Sequence, residues 1–303
     1  SAPMRNAADM RTRGWEIAVN WRDQIGDWKY NVGFNLYDYK SKITKYSNNE
    51  DKLLSQNYYE GKTLGEIWGY VSDGFYTIDD FDGPGTWQLK DGIASLDGYN
   101  PRPGDEKFVN LNDDRGTNEI NSGLNTVDSP GVNLGVSYKG FSLSAILQGT
   151  AKRDVWIGGM SLFPFGGSAK AYYPVFYNQT DYWEPMGSCD GQYTENDREY
   201  WIAKNPDASL YRLYSNMQNH GSNQRASTKY LQNGAYMRLK NITLAYTFPK
   251  ALISKVSLSA LKVFVSAENL ATISSLPKGY DPERLSWGYP FYRTLSFGLN
   301  VTL

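Results

Sequence analysis

The sequence is poor in cysteine and histidine, with only Cys189 and His220 among 303 residues. A single cysteine excludes an internal disulfide framework and a thiolate metal cluster. The two residues lie far apart in the chain, and no motif that would orient a nucleophile surrounds either of them. The pattern therefore argues against a Cys/His catalytic pair.

Long apolar runs and an excess of one charge are also lacking. No segment approaches the roughly 20 apolar residues of a spanning helix, which excludes an α-helical membrane protein. The formal net charge is −1 and the charges are dispersed, so nucleic acid is not an expected partner. The first residues lack the apolar core of a signal peptide, and for an exported protein we would expect a processed or truncated chain.

Aromatic residues are abundant, with 24 Tyr, 12 Phe and 9 Trp. This composition is typical of strands and loops. Several segments alternate apolar and polar residues, which is the period of a strand with one apolar face. We predict seven such strands, at 15–22, 28–36, 132–139, 141–148, 235–248, 261–270 and 294–303.

The connections between these strands differ greatly in length. Short turns are predicted at Asp23–Asp27 and Lys139–Gly140, whereas 45–131 and 151–234 are predicted to be large extracellular loops. Transmembrane β-barrels alternate short periplasmic turns with long outer loops. The expected fold class is therefore all-β, namely about seven strands of a large antiparallel transmembrane β-barrel. Seven strands cannot close such a barrel, so we expect this chain to pair with further strands.

Two irregular segments need separate explanations. Ile67–Tyr76 is strand-like but lacks clean alternation, so we predict that it lies inside the first long loop and does not cross the membrane. Within 235–248 the apolar positions change from odd to even numbers, which predicts a β-bulge near Lys240–Asn241.

A soluble antiparallel β-sandwich is the alternative fold, because its strands also alternate. Its long aromatic loops would then form a lectin-like carbohydrate-binding surface. Largely uncharged polar faces, aromatic residues at strand ends and the alternating connection lengths favour the barrel. A surface glycosidase has the least support, because nothing fixes the separation of acid pairs such as Asp79 and Asp80.

Several motifs occur in the order found in one transporter family. They are Gly14–Ile17, Leu64–Phe75, Pro103–Phe108 with Asn110–Asp113, Ser137–Phe141, Tyr236–Leu244, and Ala267–Leu270 with Gly279–Pro282. With these motifs the chain resembles the C-terminal barrel portion of the SusC/RagA-like TonB-dependent outer-membrane transporters of Bacteroidetes.

The resemblance implies a 22-stranded barrel whose plug and N-terminal strands are not part of this chain. It also implies an outer-membrane location in contact with lipid, a SusD-like lipoprotein lid, and energy from TonB–ExbB–ExbD. The implied activity is the import of oligosaccharides, or of oligopeptides, and not an enzymatic reaction. One departure is the eight-residue strand after Gly131, which is shorter than the roughly 9 to 11 residues of a spanning strand. We infer that residues are missing between Gly131 and Val132.

Two groups of residues are candidate sites. The second long loop is dense in aromatic residues, whose flat faces can stack on sugar rings, although packing of the loop or against the lid is the favoured alternative. Oxygen-bearing side chains at alternate positions suggest a calcium loop, but Arg115 occupies its sharp-turn position and no other cofactor is expected. The substrate-binding candidates are Trp156, Tyr172, Tyr173, Tyr177, Tyr182 and Trp183, and the calcium candidates are Asn110, Asn112 and Asp114.

Overall fold

The chain is divided into two compact units. The computed structural model describes residues 8–49, 58–96, 99–110, 120–122, 131–156, 177–187, 191–214, 223–285 and 291–303. The first unit comprises residues 1–66, 124–155 and 232–303, and the second comprises 67–123 and 156–231. In the described ranges, no helix combines the length and the apolar character needed to cross a membrane.

Strands dominate the secondary structure of the described residues. Lys250–Ile253 form a short α-helix, α1, and 3₁₀ turns occupy Ile78–Asp80, Tyr177–Gln179, Glu199–Trp201, Thr228–Tyr230 and Ser254–Val256. The strands are β1 (Ala8–Ile25), β2 (Trp28–Tyr46), β3 (Ile67–Gly69), β4 (Ser72–Phe75), β5 (Glu106–Phe108), β6 (Ile120–Ser122), β7 (Gly131–Tyr138), β8 (Phe141–Thr150), β9 (Asp154–Trp156), β10 (Leu231–Asn233), β11 (Tyr236–Thr247), β12 (Ala260–Ser274) and β13 (Thr294–Thr302).

The first unit contains a seven-stranded antiparallel sheet in the order β1-β2-β7-β8-β11-β12-β13. Every strand pairs with the next strand of the sheet along the chain. The prediction of seven strands in an all-β antiparallel fold is confirmed. Among the described residues, β1 and β13 form the two edges of this sheet. The short strands β9 and β10 form a separate pair.

The tight turns of this sheet are shorter than, or equal to, the predicted ones. The first turn is only Gly26–Asp27, because pairing continues to Ile25 and Trp28. The predicted Asp23–Asp27 turn was therefore too long. Lys139 and Gly140 have φ angles of +42° and +91°, as a two-residue type I′ hairpin requires, and the turn predicted there is confirmed.

The predicted bulge lies in β11. The register shifts between Leu239 and Asn241 against both neighbouring strands. On the β12 side, two residues, Asn269 and Leu270, lie opposite Lys240. On the β8 side, Leu147 and Ile146 are adjacent, so Lys240 is the extra residue there. Such an insertion moves the apolar positions from odd to even numbers without changing the face they occupy.

The ends of several strands differ from the prediction, most of all in β2, which continues to Tyr46 rather than ending at Leu36. β1 already begins at Ala8, and β12 continues to Ser274 rather than ending at Leu270. Asn269 has a φ of +51° and lies beside the register shift. This irregularity interrupts the alternation of apolar and polar residues, so the sequence pattern did not predict that β12 continues. β13 ends at Thr302, one residue before the predicted Leu303.

The strand β7 has eight residues, Gly131–Tyr138, and is as short as the sequence indicated. Residues 123–130, which precede it, lie outside the described ranges. The inference that residues are missing at this place in the chain therefore stays a prediction.

One face of the sheet carries an apolar row that crosses the strands in register. The five members on β7 to β13 have exposed fractions between 40% and 73%, and nothing in the described part of the chain covers them. A sandwich would bury such a face between two sheets, so the sandwich alternative is not supported. The row consists of Tyr30, Val136, Leu143, Leu244, Val265 and Phe297.

The adjacent row, on the opposite face, is polar. The Thr243 hydroxyl lies 3.2 Å from that of Ser266 and donates to Asn241 Oδ1 at 3.0 Å. An apolar face beside a polar, hydrogen-bonded face is the pattern of a barrel wall between lipid and an aqueous interior. The row includes Asn31, Ser144, Thr243, Ser266 and Ser296.

The second unit is built from short strand pairs and turns. β3 pairs with β6 and β4 pairs with β5, so Ile67–Phe75 does not join the large sheet, as predicted. Among the described residues of this unit, two buried clusters form a core. They are Ile78, Trp183, Trp201 and Ala208 in one, and Leu210, Tyr211 and Tyr230 in the other.

Candidate functional site

A cavity of about 500 Å³ opens in the second unit. This volume suits a small organic ligand. We call it the aromatic cleft, since six of the residues that line it are aromatic and two are arginines. They are Trp87, Tyr182, Trp183, Tyr200, Trp201 and Tyr214, with Arg102 and Arg212.

The aromatic rings hold one another in place. Trp201 meets Trp87 edge to face, with ring centroids 4.9 Å apart, and Tyr200 at 5.1 Å. Trp183 and Trp201 are only 2% and 7% exposed, so they belong to the core, whereas Trp87, Tyr182 and Tyr200 are half-buried. Edge-to-face pairs stabilise beyond the area they bury, and the cleft is therefore preorganised.

Both arginines lie against these rings. The guanidinium of Arg102 is 5.1 Å from the ring centre of Trp87, and that of Arg212 is 4.9 Å from Trp201 and 4.4 Å from Tyr214. Cation–π attraction stabilises both positions. Burial lowers the pKa of Arg102, and the positive charge of Arg212 acts in the same direction.

A buried carboxylate links chain segments that line the cleft to one another. Asp105 is fully buried and accepts hydrogen bonds from the Tyr214 hydroxyl at 2.5 Å, from Asn223 Nδ2 at 2.9 Å and from the Arg102 backbone N–H at 2.7 Å. Burial raises the pKa of Asp105, and the hydrogen bonds from Tyr214 and Asn223 oppose that shift. The network joins three separate chain segments at the cleft.

The neighbouring Glu106 is also buried. Its backbone N–H donates to Asn223 Oδ1 at 2.7 Å, and its Oε1 accepts from the Ser227 hydroxyl at 2.6 Å. Burial raises the pKa of Glu106 to about 7, although the hydroxyls of Ser227 and Ser72 and the charge of Lys229 act to lower it. Its role is to link β5 to the segment that begins at Asn223.

Gly104 explains why a motif containing glycine occurs here. Its φ is +87°, and a Cβ at this position would collide with the Trp183 ring and lie 2.8 Å from Arg212 Cβ. The Arg212 backbone N–H donates to the Gly104 carbonyl at 2.8 Å. The Pro103–Phe108 motif thus brings the backbone under the cleft at a distance that only glycine allows.

The structure brings together two of the six predicted substrate-binding residues, Tyr182 and Trp183. Trp156 instead packs against the cluster of Leu210, Tyr211 and Tyr230, while Tyr177 is 94% exposed outside the cleft. Tyr172 and Tyr173 lie outside the described residues. The buried position of Trp183 is that of a packing residue, and substrate binding by the six stays a prediction.

Sequence reasoning missed the other lining residues named above, Trp87, Tyr200, Trp201, Tyr214, Arg102 and Arg212. One signal was present, because Tyr211–Tyr214 interleaves an arginine with aromatic residues inside a loop. Arg102 also directly precedes the Pro103–Phe108 motif. No local pattern distinguishes Trp87, which reaches the cleft through tertiary packing.

One of the three calcium candidates lies in the described part of the chain. Asn110 is described, but Asn112 and Asp114 lie outside the described residues. Among the residues with described positions, no three His, Cys, Asp or Glu side chains form a group able to hold a metal ion. Calcium binding therefore stays a prediction.

Comparisons with known proteins agree with the barrel. No protein-family model matches the chain. It is 25% identical over 336 residues to TonB-dependent receptor P3 of Formosa agariphila, covering 99% of the chain and 29% of that protein. TonB-dependent receptor P26 of the same organism is 22% identical over 333 residues, covering 100% and 30% respectively.

Solved structures show the same fold. The RagAB peptide transporter superposes with a TM-score of 0.64 at 18% identity over 97% of this chain, and the RagAB peptide importer in the open-open state with 0.60 at 18% over 98%. The predicted resemblance to SusC/RagA-like TonB-dependent receptors is confirmed. The fold is that of part of such a β-barrel.

This receptor-like chain spans about 29% of the length of the first curated relative and of the RagAB chain that it matches. Both curated relatives are named receptors, and the RagAB proteins are named a transporter and an importer. The prediction that the chain is not an enzyme agrees with these names.

Proposed function

We propose that this chain forms part of the barrel wall and extracellular surface of an outer-membrane transporter that imports oligosaccharides with energy supplied through TonB. The observation that carries the proposal is the seven-stranded sheet, with one exposed apolar face and one polar face, in a chain similar to TonB-dependent receptors. A SusD-like surface lipoprotein is the proposed partner, the two long loops are proposed to face outward, and the remaining strands and plug complete the transporter.

Oligosaccharide is the proposed cargo because of the aromatic cleft. Flat aromatic side chains offer faces on which sugar rings stack, and Tyr182 and Tyr200 are half-buried there. Glu184, Glu195 and Asn196 add polar groups that hydrogen-bond to sugar hydroxyls. A cavity that combines both features fits a hydroxyl-rich ligand better than an aliphatic one.

An uptake measurement tests the proposal. Source cells with and without the gene are supplied with fluorescently labelled oligosaccharide mixtures, and periplasmic label is counted before and after a protonophore collapses the energy supply. We expect uptake of at least one oligosaccharide to require both the gene and the proton gradient. Uptake that persists in deleted cells, for every oligosaccharide tested, would contradict the proposed cargo.

The partner is tested by purification. The full-length protein is solubilised from the outer membrane in mild detergent, and co-purifying proteins are identified by mass spectrometry. We expect a lipoprotein in near-equal amount. Recovery from the soluble fraction would contradict the location and the partner together.

Oligopeptide import is the second candidate, because the solved structures with the same fold are named a peptide transporter and a peptide importer. At 18% identity the similarity to these structures shows the fold but does not indicate the cargo. The same cells supplied with labelled peptides distinguish the two candidates, since only the true cargo class loses uptake on deletion.

A further inference from the structure

We propose that the aromatic cleft binds an anionic oligosaccharide, and that Arg102 and Arg212 hold its carboxylate or sulfate groups. The inference rests on the proposed import function, because it assigns a charge to the cargo. It concerns residues that the sequence motifs did not single out as a site.

The two arginines have unused hydrogen-bonding capacity. A guanidinium has five N–H donors. Arg102 donates one bond, from its NH1 group to the Pro101 carbonyl at 3.1 Å, and the buried Nε of Arg212 has no acceptor. Among the residues that the structure describes, no carboxylate lies within 4.0 Å of either guanidinium.

The described residues of the cleft also include two positive charges that have no direct ion-pair partner. The two like charges repel each other, and an anion bound between them would offset that repulsion. Asp105 acts on both arginines electrostatically, but its oxygens accept hydrogen bonds from Tyr214, Asn223 and the Arg102 backbone and form no ion pair with either guanidinium.

The two other acids of the cleft, Glu184 and Glu195, form no ion pair with the arginines in the described part of the chain. Glu184 is paired with Lys204 at 3.1 Å, and Glu195 is exposed at the rim, where water screens its charge. An anionic ligand in the cleft would therefore lie near the two arginines and near one acid, Glu195, whose charge is screened by water.

The geometry of the arginines suits an anion with two oxygens. The aromatic ring centres lie 4.4 to 5.1 Å from the two guanidinium carbons and restrain both groups, whose N–H donors are largely left for a ligand. A planar fork held in this way matches the two oxygens of a carboxylate or sulfate. Lysine would supply the charge but not the fork.

Trp87 has a strained backbone at the edge of the cleft. Its φ is +54°, a conformation that bulky residues rarely adopt and that clusters at binding sites. Trp87 and Arg102 also line a second cavity of about 590 Å³, whose wall includes Thr86, Gln88 and Asn100. Because the two cavities share this tryptophan–arginine pair, a ligand of several sugar units can extend from one into the other.

The test compares ligands that differ only in charge. Full-length protein purified in detergent is titrated by calorimetry with a trigalacturonate and with its neutral methyl ester. A sulfated oligosaccharide and its desulfated form make the second pair, so that the source of the anionic group is distinguished. We expect the charged member of one pair to bind at least tenfold tighter, with affinity falling as salt is added.

Variants locate the binding. Arg102→Gln and Arg212→Gln should each weaken binding of the charged ligand about tenfold and weaken binding of the neutral ligand much less. Arg212→Lys should restore part of the loss. The matched control is Arg225→Gln, which removes another arginine stacked on a tyrosine, 5.6 Å from the Tyr70 ring and not lining the cleft, and should change nothing.

Equal affinity for the charged and neutral members of both pairs would overturn the inference, and wild-type protein suffices for that result. Binding of an acidic peptide, but of neither anionic sugar, would overturn it as well. If neutral oligosaccharides are imported through this protein while cleft variants behave as wild type, only this inference fails. If no oligosaccharide is imported, the proposed function fails with it.

Discussion

At the scale of single residues, the cleft depends on a backbone position that has no side chain. Gly104→Ala places a methyl group against Trp183 and Arg212 and strains a φ of +87°. We expect the second unit to lose about 3 kcal/mol of local stability. Hydrogen exchange of residues 99–108 measures the loss.

The control for this change is Gly92→Ala. Gly92 has nearly the same φ, +84°, but nothing lies within 4 Å of the position of its Cβ. We expect only the conformational cost of about 1 kcal/mol. Equal effects of the two substitutions would mean that contact with Trp183 contributes nothing.

The raised pKa of Glu106 predicts how the stability of the second unit depends on pH. Burial raises its pKa from 4.5 to about 7, so between these values the folded state holds a proton that the unfolded state releases. Stability should therefore fall as pH rises from about 4.5 to about 7, by on the order of 3 kcal/mol. The pKa of Asp105 shifts in the same direction.

Proteolysis of the second unit at pH 5 and pH 7.5 checks this dependence. Glu106→Gln keeps the shape without the charge, and it should remove most of the difference while remaining resistant at the higher pH. An unchanged difference in that variant would assign the pH dependence to another group.

At the scale of elements, a buried charge network holds the segment between β12 and β13. Arg238 on β11 is 4% exposed and pairs with Asp281 at 2.8 Å and Glu283 at 3.2 Å, while Lys240 pairs with Glu283 at 2.5 Å. Arg238→Gln leaves two acids without this cation, and breaking a buried pair in this way costs about 3–5 kcal/mol. We expect protease cleavage within 275–285.

Lys240→Gln is the graded control, because it removes a more exposed cation with one partner in the network. We expect a smaller effect on cleavage than for Arg238→Gln. If neither change exposes the segment, the network does not hold it.

Elements with regular alternation could be predicted from the sequence, and the cleft could not. The first and last strands are evident from the sequence, because one face of each meets an apolar environment and apolar residues therefore recur at every second position. The segments are Trp15 to Trp21 and Leu295 to Val301. The bulge at Lys240 could also be predicted, because it moves the apolar residues from odd to even positions. In contrast, Trp87 and Arg212 lie 125 residues apart in sequence number and meet through tertiary packing, which leaves no local period.

At the scale of the whole molecule, the exposed apolar face predicts where a charge is tolerated. Val19 is 54% exposed, pairs with Phe34, and lies six residues before Ile25, the last residue of β1. In the full-length barrel, Val19→Arg should cost about 2–4 kcal/mol, because the side chain faces the lipid core. Asn20→Arg, one residue along and on the polar face, should cost much less.

Folding into lipid vesicles during a urea titration measures both costs, with the heat-dependent gel shift of a closed barrel as the readout. Val19 and Asn20 are neighbours in one strand, so the two variants share strand propensity, depth and added charge, and differ in the face that carries the arginine. A larger loss for Val19→Arg therefore identifies the apolar face as the lipid-facing one. Equal losses would mean that neither face of β1 meets lipid, and the barrel-wall assignment of this strand would be wrong.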